Sequence, residues 1–437
     1  MGSIPTRFDV IVVGAGPAGA AAAYHAAKRG FKVLLVERGR GAGSKELYGG
    51  RIYVGPLRDV WPGIEKEAPI HRWVVEERLS IIGDGEVATL SYRYSNPVSF
   101  TAYLPDLTRW MVSKAEEEGV VFVDEVRVDS LVRDGEGRVI GIRSGPDVAY
   151  ASVVVDAEGA NRLLLERAGI VDALDAKRAP IALGVKEVLK LPKGAIEDRL
   201  GLSDGEGLSW LIAGTVTKGI PGGGFIYTFK DTIAVGVVVH LGHSVNAVEA
   251  GVLKESVKDL VESIRLHPYF KRLWRDSDIV EYGAHLTVEC GLDYMPPHLA
   301  YDGLVIVGDA AGLLLNLGYT VRGVDLASYS GMLAAEAIAK AHDLGGMNAE
   351  NLRVYENMVK ESFIYKELVR HRGICWLTKE RRFFTSYANI LLGILSNLYV
   401  QEFKHPTVFE AVKASIRSGG EALLPLIGRI LKVVREL

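Results

Sequence analysis

The sequence predicts an α/β protein: a parallel-sheet domain assembled from separated stretches of chain, interrupted by a β-rich insertion and closed by a helical tail. Three observations carry this. A glycine-rich turn joins an apolar stretch at 9–13 to an alanine-rich stretch at 20–29, and a second apolar run follows at 31–37, the order of a βαβ unit. Between about 181 and 282 the pattern changes to long β-runs such as 233–240, with one helix around 248–266. At 304–307 a short apolar strand returns, followed by Gly308-Asp309 and a long small-residue helix over about 321–341.

The remaining elements follow in order. A glycine-rich loop covers 39–55. Residues 105–119 read as a helix with a glycine stop, and 120–123 as the next strand. The alternation over 124–142, with a turn at 134–137, predicts a meander, and 152–157 a buried strand. From about 348 the chain is mainly helical. The expected domains are therefore a discontinuous first domain (1–90, 104–180 and 284–345), a β-rich domain (91–103 and 181–283) and a helical region (346–437).

Composition excludes several classes. Of 437 residues, 48% are hydrophobic and 24% charged, and the net charge is −3. That is a globular chain with no basic excess for nucleic acid. Cys290 and Cys375 are the two cysteines. They cannot furnish the four thiolates of an iron–sulfur cluster or a cysteine-rich zinc site. A reducing compartment is expected, a disulfide between them is not, and no metal is expected. The start shows no secretory signal pattern. Residues 1–6 fit a loose myristoylation pattern that two fixed positions make weak. Gln401 is the one glutamine, a depletion that points towards a thermophilic source.

The chemistry starts at Gly14-Ala15-Gly16-Pro17-Ala18-Gly19. Gly14 permits a tight turn, Gly16 lets backbone approach a pyrophosphate, and Gly19 lets helix pack on strand. Pro17 and Ala18 open a helix whose free N–H groups face the phosphates. Glu37, followed by Arg38, ends the next strand and can accept hydrogen bonds from ribose hydroxyls. A second glycine–acid motif, Gly308-Asp309, lies nearly 300 residues on. That separation favours FAD over NAD, because a ribityl chain beyond the ADP half needs its own polar partner, here Asp309. Gly318, Thr320 and Val321 precede the long helix, whose N-terminal dipole would face a reduced flavin's pyrimidine edge.

These motifs, together with Gly49-Gly50-Arg51, Gly184-Val185-Lys186-Glu187, residues 156–162 and Gly222-Gly223-Gly224-Phe225-Ile226-Tyr227, resemble the glutathione-reductase-like flavoprotein superfamily. Within it the chain is similar to the FixC/EtfC family, the FAD subunits of electron-transfer-flavoprotein:quinone oxidoreductase systems. The likeness runs from Phe8 to about Tyr355. It implies a Rossmann FAD-binding domain with an inserted β-rich substrate or quinone domain and a C-terminal helical region. Gly50, Arg51 and Val126 join the cofactor set on this basis. Quinone is implied near Gly222, Gly223, Gly224 and Tyr227, where glycines would let a flat ring approach. The donor is implied to be an electron-transfer flavoprotein of α and β subunits, beside a small ferredoxin-like FixX/EtfX subunit.

Departures matter. The residues that aromatic hydroxylases carry after their Asp-Gly and Gly-Asp motifs are replaced here by Asn161-Arg162, Gly312 and Asn316, which disfavours hydroxylation. The arginine that relatives place near the start of the 105–119 helix is missing at Leu104-Pro105. With one dinucleotide fingerprint there is no separate nicotinamide domain. No catalytic acid–base pair is assigned, since electron transfer asks chiefly for cofactor binding, orientation and electrostatics. The uncharged stretch 383–401, with small polar residues on one side and apolar ones on the other, reads either as a membrane-surface helix or as a packed amphipathic one. The expectation is a cytoplasmic protein peripheral to the inner face of the cell membrane. A geranylgeranyl-reductase-like enzyme acting on isoprenoid double bonds, and a flavin-bearing docking subunit without quinone activity, are the rival readings.

Overall fold

The computed structural model describes residues 7–45, 49–83, 85–377 and 380–420, with isolated positions beyond 420. The 1–6 pattern lies outside them, as does most of the stretch 421–437. Within the first sheet, strands 147–156, 7–13, 33–36 and 121–123 lie side by side in parallel, and 304–306 adds to the other edge of 147–156. The valine, isoleucine and leucine runs at 10–13, 33–36, 153–155 and 304–306 are buried, as a parallel sheet covered on both faces requires.

The first helix, Pro17–Ala27, starts three residues before the sequence reading, with proline at its first position. The long helix starts later than expected, at Val324, because Leu315–Asn316 and Val321–Arg322 pair as a small hairpin ahead of it. The helix expected around 248–266 is two, Leu241–Glu249 and Val257–Leu266. Gly251, at φ +66°, follows the first, and a Ser256/Asp259 capping box opens the second. The loop expected over 39–55 contains a strand, Gly50–Tyr53, paired with Ser99–Ala102.

The second, nine-stranded sheet has the order 278–288, 181–190, 232–240, 222–228, 206–214, 72–82, 99–102, 50–53, with 87–93 paired on 72–82. Strands 50–53 and 72–82, and strand 87–93 as far as residue 90, which the sequence reading places in the first domain, belong to this sheet. One face carries Trp210, Ile212, Ile226, Val235 and Val237 in a core with Leu260, Val261 and Ile264 of the Val257–Leu266 helix, Phe270 and Trp274. The other face turns towards the first domain: Lys186 donates to the Gly49 carbonyl at 2.6 Å.

Near the C-terminus, helices Ser386–Tyr399 and Val408–Ser418 pack together. Asn397 donates to Ser415 Oγ at 3.1 Å, and a Cβ on Gly393 would meet that same oxygen at 3.2 Å. At Gly393 and Asn397, the small polar stripe of 383–401 is therefore a seam between helices. Cys290 and Cys375, not expected to pair, are joined by a disulfide with Cα atoms 5.8 Å apart. The chain between them folds back on itself, so a separation of 85 positions said nothing about distance.

The first helix and the long helix cross so closely that a Cβ on Gly331 would sit 2.2 Å from the Ala18 carbonyl oxygen. Gly331→Val should therefore cost at least ~1–3 kcal/mol, read as a lowered denaturation midpoint with less cofactor retained. A second expectation concerns pH. Glu289, 3.6 Å from His240 Nε2, has a side chain only 10% exposed, and desolvation pushes its carboxyl up to about 8. Between pH 4.5 and 8 the folded chain holds a proton the unfolded chain has released, so this group's contribution falls as pH rises. Glu289→Gln should flatten the loss of stability from pH 5 to 8; an unchanged slope would remove Glu289 as its source.

Candidate functional site

Between the two sheets lies a cleft of about 760 Å³, within the range of a cofactor site. One end is built by the glycine turn. Gly14 takes φ +99°, and a Cβ there would lie 2.4 Å from the Ala157 carbonyl oxygen. A Cβ on Gly19 would lie 1.9 Å from the Gly14 carbonyl oxygen, so glycine is required for helix to meet strand. The first helix has no side-chain cap and no acidic residue in its first turn. Its open N–H groups and positive dipole end face the cleft, a cradle fitted to a pyrophosphate.

Glu37 lines this end. Its Oε2 accepts from the Ala15 N–H at 3.1 Å and its Oε1 from the Gly39 N–H at 2.6 Å, while Lys45 Nζ stands 3.7 Å away. The carboxylate thus ties the glycine turn to the end of the second strand and keeps lone pairs for ribose hydroxyls. Arg38 and Val126 line the same end, Val126 through an N–H to the Glu37 carbonyl at 2.8 Å.

At the other end the lining comes from Gly49 to Tyr53, Lys186, His285 to Thr287, Asp309 and Val321 to Asp325. Asp309 is held in the wall by the short turn Gly308–Ala311. Desolvation raises its pKa, and His285 and Arg162 oppose the rise. Behind it, the Arg162 guanidinium lies 3.4 Å over the Tyr294 ring. Tyr294 in turn donates to the Ala160 carbonyl at 2.5 Å. Asp156, raised well above the ordinary carboxylate range by burial and by Glu158, completes this buried group.

The far wall is clasped across the cleft. The Tyr53 ring lies between the guanidinium groups of Arg51, at 4.5 Å, and Arg322, at 4.7 Å. Arg51 bonds Glu77 at 3.1 Å and Ser99 at 2.9 Å, and Arg322 bonds the buried Asp325 at 3.0 Å. The Tyr53 hydroxyl donates to Thr320 at 3.4 Å.

The structure brings Gly14, Gly16, Pro17, Ala18, Glu37, Arg38, Gly50, Arg51, Val126, Asp309 and Val321 to one cleft. Gly19 and Gly308 stand behind the wall: a Cβ on Gly308, at φ +62°, would touch the Ala18 side chain. Gly318 is exposed at the hairpin turn and Thr320 acts through Tyr53, so the residues at the mouth of the long helix are Arg322 to Asp325. Gly222, Gly223 and Gly224 lie in an inner strand of the second sheet, outside the cleft lining. There a Cβ would strike Val238 O at 2.0 Å, Ile212 O at 2.9 Å and Ile264 Cδ1 at 2.6 Å respectively. Phe225 and Tyr227 stack at 5.1 Å on that strand. Burial pushes Tyr227 up to about 12, opposed by Arg51, with Tyr53 and Glu77 also near.

Sequence reasoning missed Lys45, Leu104, Arg127, Arg167 and His285, which line the cleft from outside the assigned site set. Tyr53, two residues past Arg51, and Arg322, next to Val321, carried no assigned role. Arg109, at the helix where relatives carry an arginine, pairs with Asp106 outside the cleft.

Residues 9–79 and 94–337 match the family described as FAD dependent oxidoreductase. The chain is 38% identical over 403 residues to a probable electron transfer flavoprotein-quinone oxidoreductase, YdiS, of Escherichia coli K12, covering 91% of this chain and 92% of the relative. It is 35% identical over 404 residues to Protein FixC of Salmonella typhi, with the same coverage. A geranylgeranyl bacteriochlorophyll reductase-like structure from Thermoplasma acidophilum superposes with a TM-score of 0.70 at 19% identity, covering 98% of this chain and 99% of that one. At that identity the likeness is one of fold.

Glu37→Ala removes the tie to Ala15 and Gly39 together with the ribose acceptors, each hydrogen bond worth ~0.5–1.5 kcal/mol net. FAD affinity of the apoprotein should fall by roughly tenfold to a hundredfold, measured by fluorescence titration; an unchanged affinity would remove Glu37 from the site.

Proposed function

The chain belongs to the FixC and electron-transfer-flavoprotein:quinone oxidoreductase family of FAD-dependent oxidoreductases, and from that premise we propose that it passes electrons from a reduced electron-transfer flavoprotein to a membrane quinone. The observation that carries this reading is the cleft itself. It joins a dinucleotide fingerprint at one end to a cationic and aromatic wall at the other. Bound FAD supplies the electron store between donor and acceptor.

The chain's own residues hold and tune that store. The glycine turn and first helix take the pyrophosphate, Glu37 the ribose and Asp309 the ribityl hydroxyls. Arg322 and the first turn of the long helix, which also holds Asp325, face the cleft from one side and Arg51 from the other, and the two guanidinium groups favour added negative charge there. A ferredoxin-like FixX/EtfX subunit is the further partner of this reading.

We place the quinone ring against Tyr227 and Phe225, with Tyr53 and Arg51 beside them, and give the glycines of that strand a packing role as well. Gly236 supports this arrangement: a Cβ there would lie 2.2 Å from the Phe225 ring. Reduced electron-transfer flavoprotein should reduce the bound FAD, and a quinone analogue should reoxidise it. Tyr227→Ala should raise the quinone KM several-fold and leave FAD content unchanged. Rapid NADPH-driven turnover would overturn the donor, and an unaltered KM the quinone position.

No helix of the described residues is long and apolar enough to cross a membrane. We place peripheral attachment at the tip of the C-terminal helix pair, where Tyr399, Val400, Phe403, Val408 and Phe409 are exposed together, Phe403 at 95%. A Cβ on Gly83, at the end of strand 72–82, would touch Leu392 of this pair, and one on Gly219, just ahead of strand 222–228, would touch Thr385. A quinone leaving the bilayer there would meet the second sheet. Phe403→Asp with Phe409→Asp should weaken flotation with lipid vesicles at least tenfold while thermal stability and FAD content hold; undiminished flotation would move the attachment elsewhere.

A further inference from the structure

The two cysteines converge on a third group. Cys290, 5% exposed, precedes the short helix Gly291–Tyr294, and Cys375 lies in the turn Ile374–Leu377. A carboxylate oxygen of Asp293 and the two sulfur atoms all lie within 4.8 Å of one another. They line a small cavity of about 30 Å³ with His371, and its Leu314 wall is shared with the cofactor cleft. The backbone beneath is fixed: a Cβ on Gly291 would lie 2.3 Å from the Gly312 carbonyl oxygen and 2.7 Å from that of Leu314.

A disulfide accounts for the sulfur pair, and Asp293, exposed at the rim of this cavity, sets a carboxylate beside it. Two sulfurs and one carboxylate oxygen, supplied by two separate segments and gathered within 4.8 Å of one another, form a donor set suited to a thiophilic divalent cation such as zinc. Zinc takes thiolates at ~2.3 Å and carboxylates at ~2.0–2.2 Å, and the spacing allows both with modest side-chain rotation. A dithiol reductant would open the bond: it gives up two electrons and two protons, becomes a disulfide itself and leaves Cys290 and Cys375 as thiols. Metal binding then displaces the two thiol protons to solvent, and a water completes the tetrahedron.

We propose that Cys290, Cys375 and Asp293 form a redox-gated metal site, a disulfide when oxidised and a zinc-type centre when reduced. The link between the C-terminal helical region and the loop 312–314 behind the cofactor is then kept in both states, carried by a covalent bond in one and by a metal in the other. This inference is independent of the donor and acceptor proposed above.

The test uses the full-length, FAD-loaded protein, reduced with a phosphine, freed of reductant and chelator under anaerobic conditions, and titrated with zinc or cobalt. The reduced protein should bind one zinc per chain in competition with a chromophoric chelator, and the oxidised protein none. Cobalt should give tetrahedral d–d bands in the red, clear of flavin absorption. Asp293→Asn should weaken zinc by at least ~10-fold, since even outer-shell partners are commonly worth that much. Cys290→Ser should abolish the site. Zinc uptake by the reduced protein no greater than that of the oxidised protein would overturn the proposal, as would Asp293→Asn binding as tightly as the parent. Because Asp293→Asn keeps both cysteines, it decides the matter even where a cysteine variant fails to fold.

Discussion

The rest of the structure depends on how closely backbone meets backbone around Gly14. The first helix can place its open end over the cleft only because Gly19 lies almost on the Gly14 carbonyl and Gly14 on that of Ala157. From the other side the long helix presses Gly331 against Ala18. Three glycines thus fix one helix against a strand, a loop and a second helix. A methyl group at any of these places would push the N-terminus away from the anion it is shaped to hold. Burial of the surrounding valines and alanines supplies much of the favourable free energy, but these approaches decide where it is directed.

Electrostatics at the two ends of the cleft differ in kind. At the nucleotide end Glu37 is part of the backbone scaffold, held by two N–H groups, and its position follows from the turn. At the other end charged groups are tied in pairs, Arg51 with Glu77 and Arg322 with Asp325, around one tyrosine ring. Each pair fixes a guanidinium plane, and the planes fix the ring. The residues that shape this end come from the strand Gly50–Tyr53 and the hairpin before the long helix. They reach across two separate parts of the chain.

Much of this was legible in the sequence. The glycine turn, Glu37 and Gly308-Asp309 are local patterns whose spacing follows from backbone geometry, and the cleft gathers them as expected. What the sequence did not show depends on neighbours far along the chain. The start of the long helix was misplaced because Val321–Arg322 pairs back on Leu315–Asn316. The break at Gly251 was hidden inside a continuous apolar pattern. The small polar residues at 393 and 397 have the spacing of a solvent face, yet they form a helix seam, because only the partner helix decides which side is covered. The glycines at 222–224 suggested space for a ring, whereas neighbouring strands already fill most of it. Tyr53 belongs to the stretch that follows Gly50-Arg51, yet its role rests on two arginines, one of them more than 250 residues away.

The second sheet has a consequence for how this protein can move. Strand 72–82 pairs in parallel with 206–214, and 50–53 reaches the sheet only through 99–102. The chain therefore passes between the two sheets four times, at 36–50, 102–121, 156–181 and 288–300. Hinge opening of the kind seen in proteins with one or two crossings would have to bend all four together. The four crossings tie the two sheets to each other at both ends of the chain's path between them. Access to the cofactor cleft then falls to small local parts, such as the hairpin at 315–322 and the side chains around Tyr53, without the two halves parting.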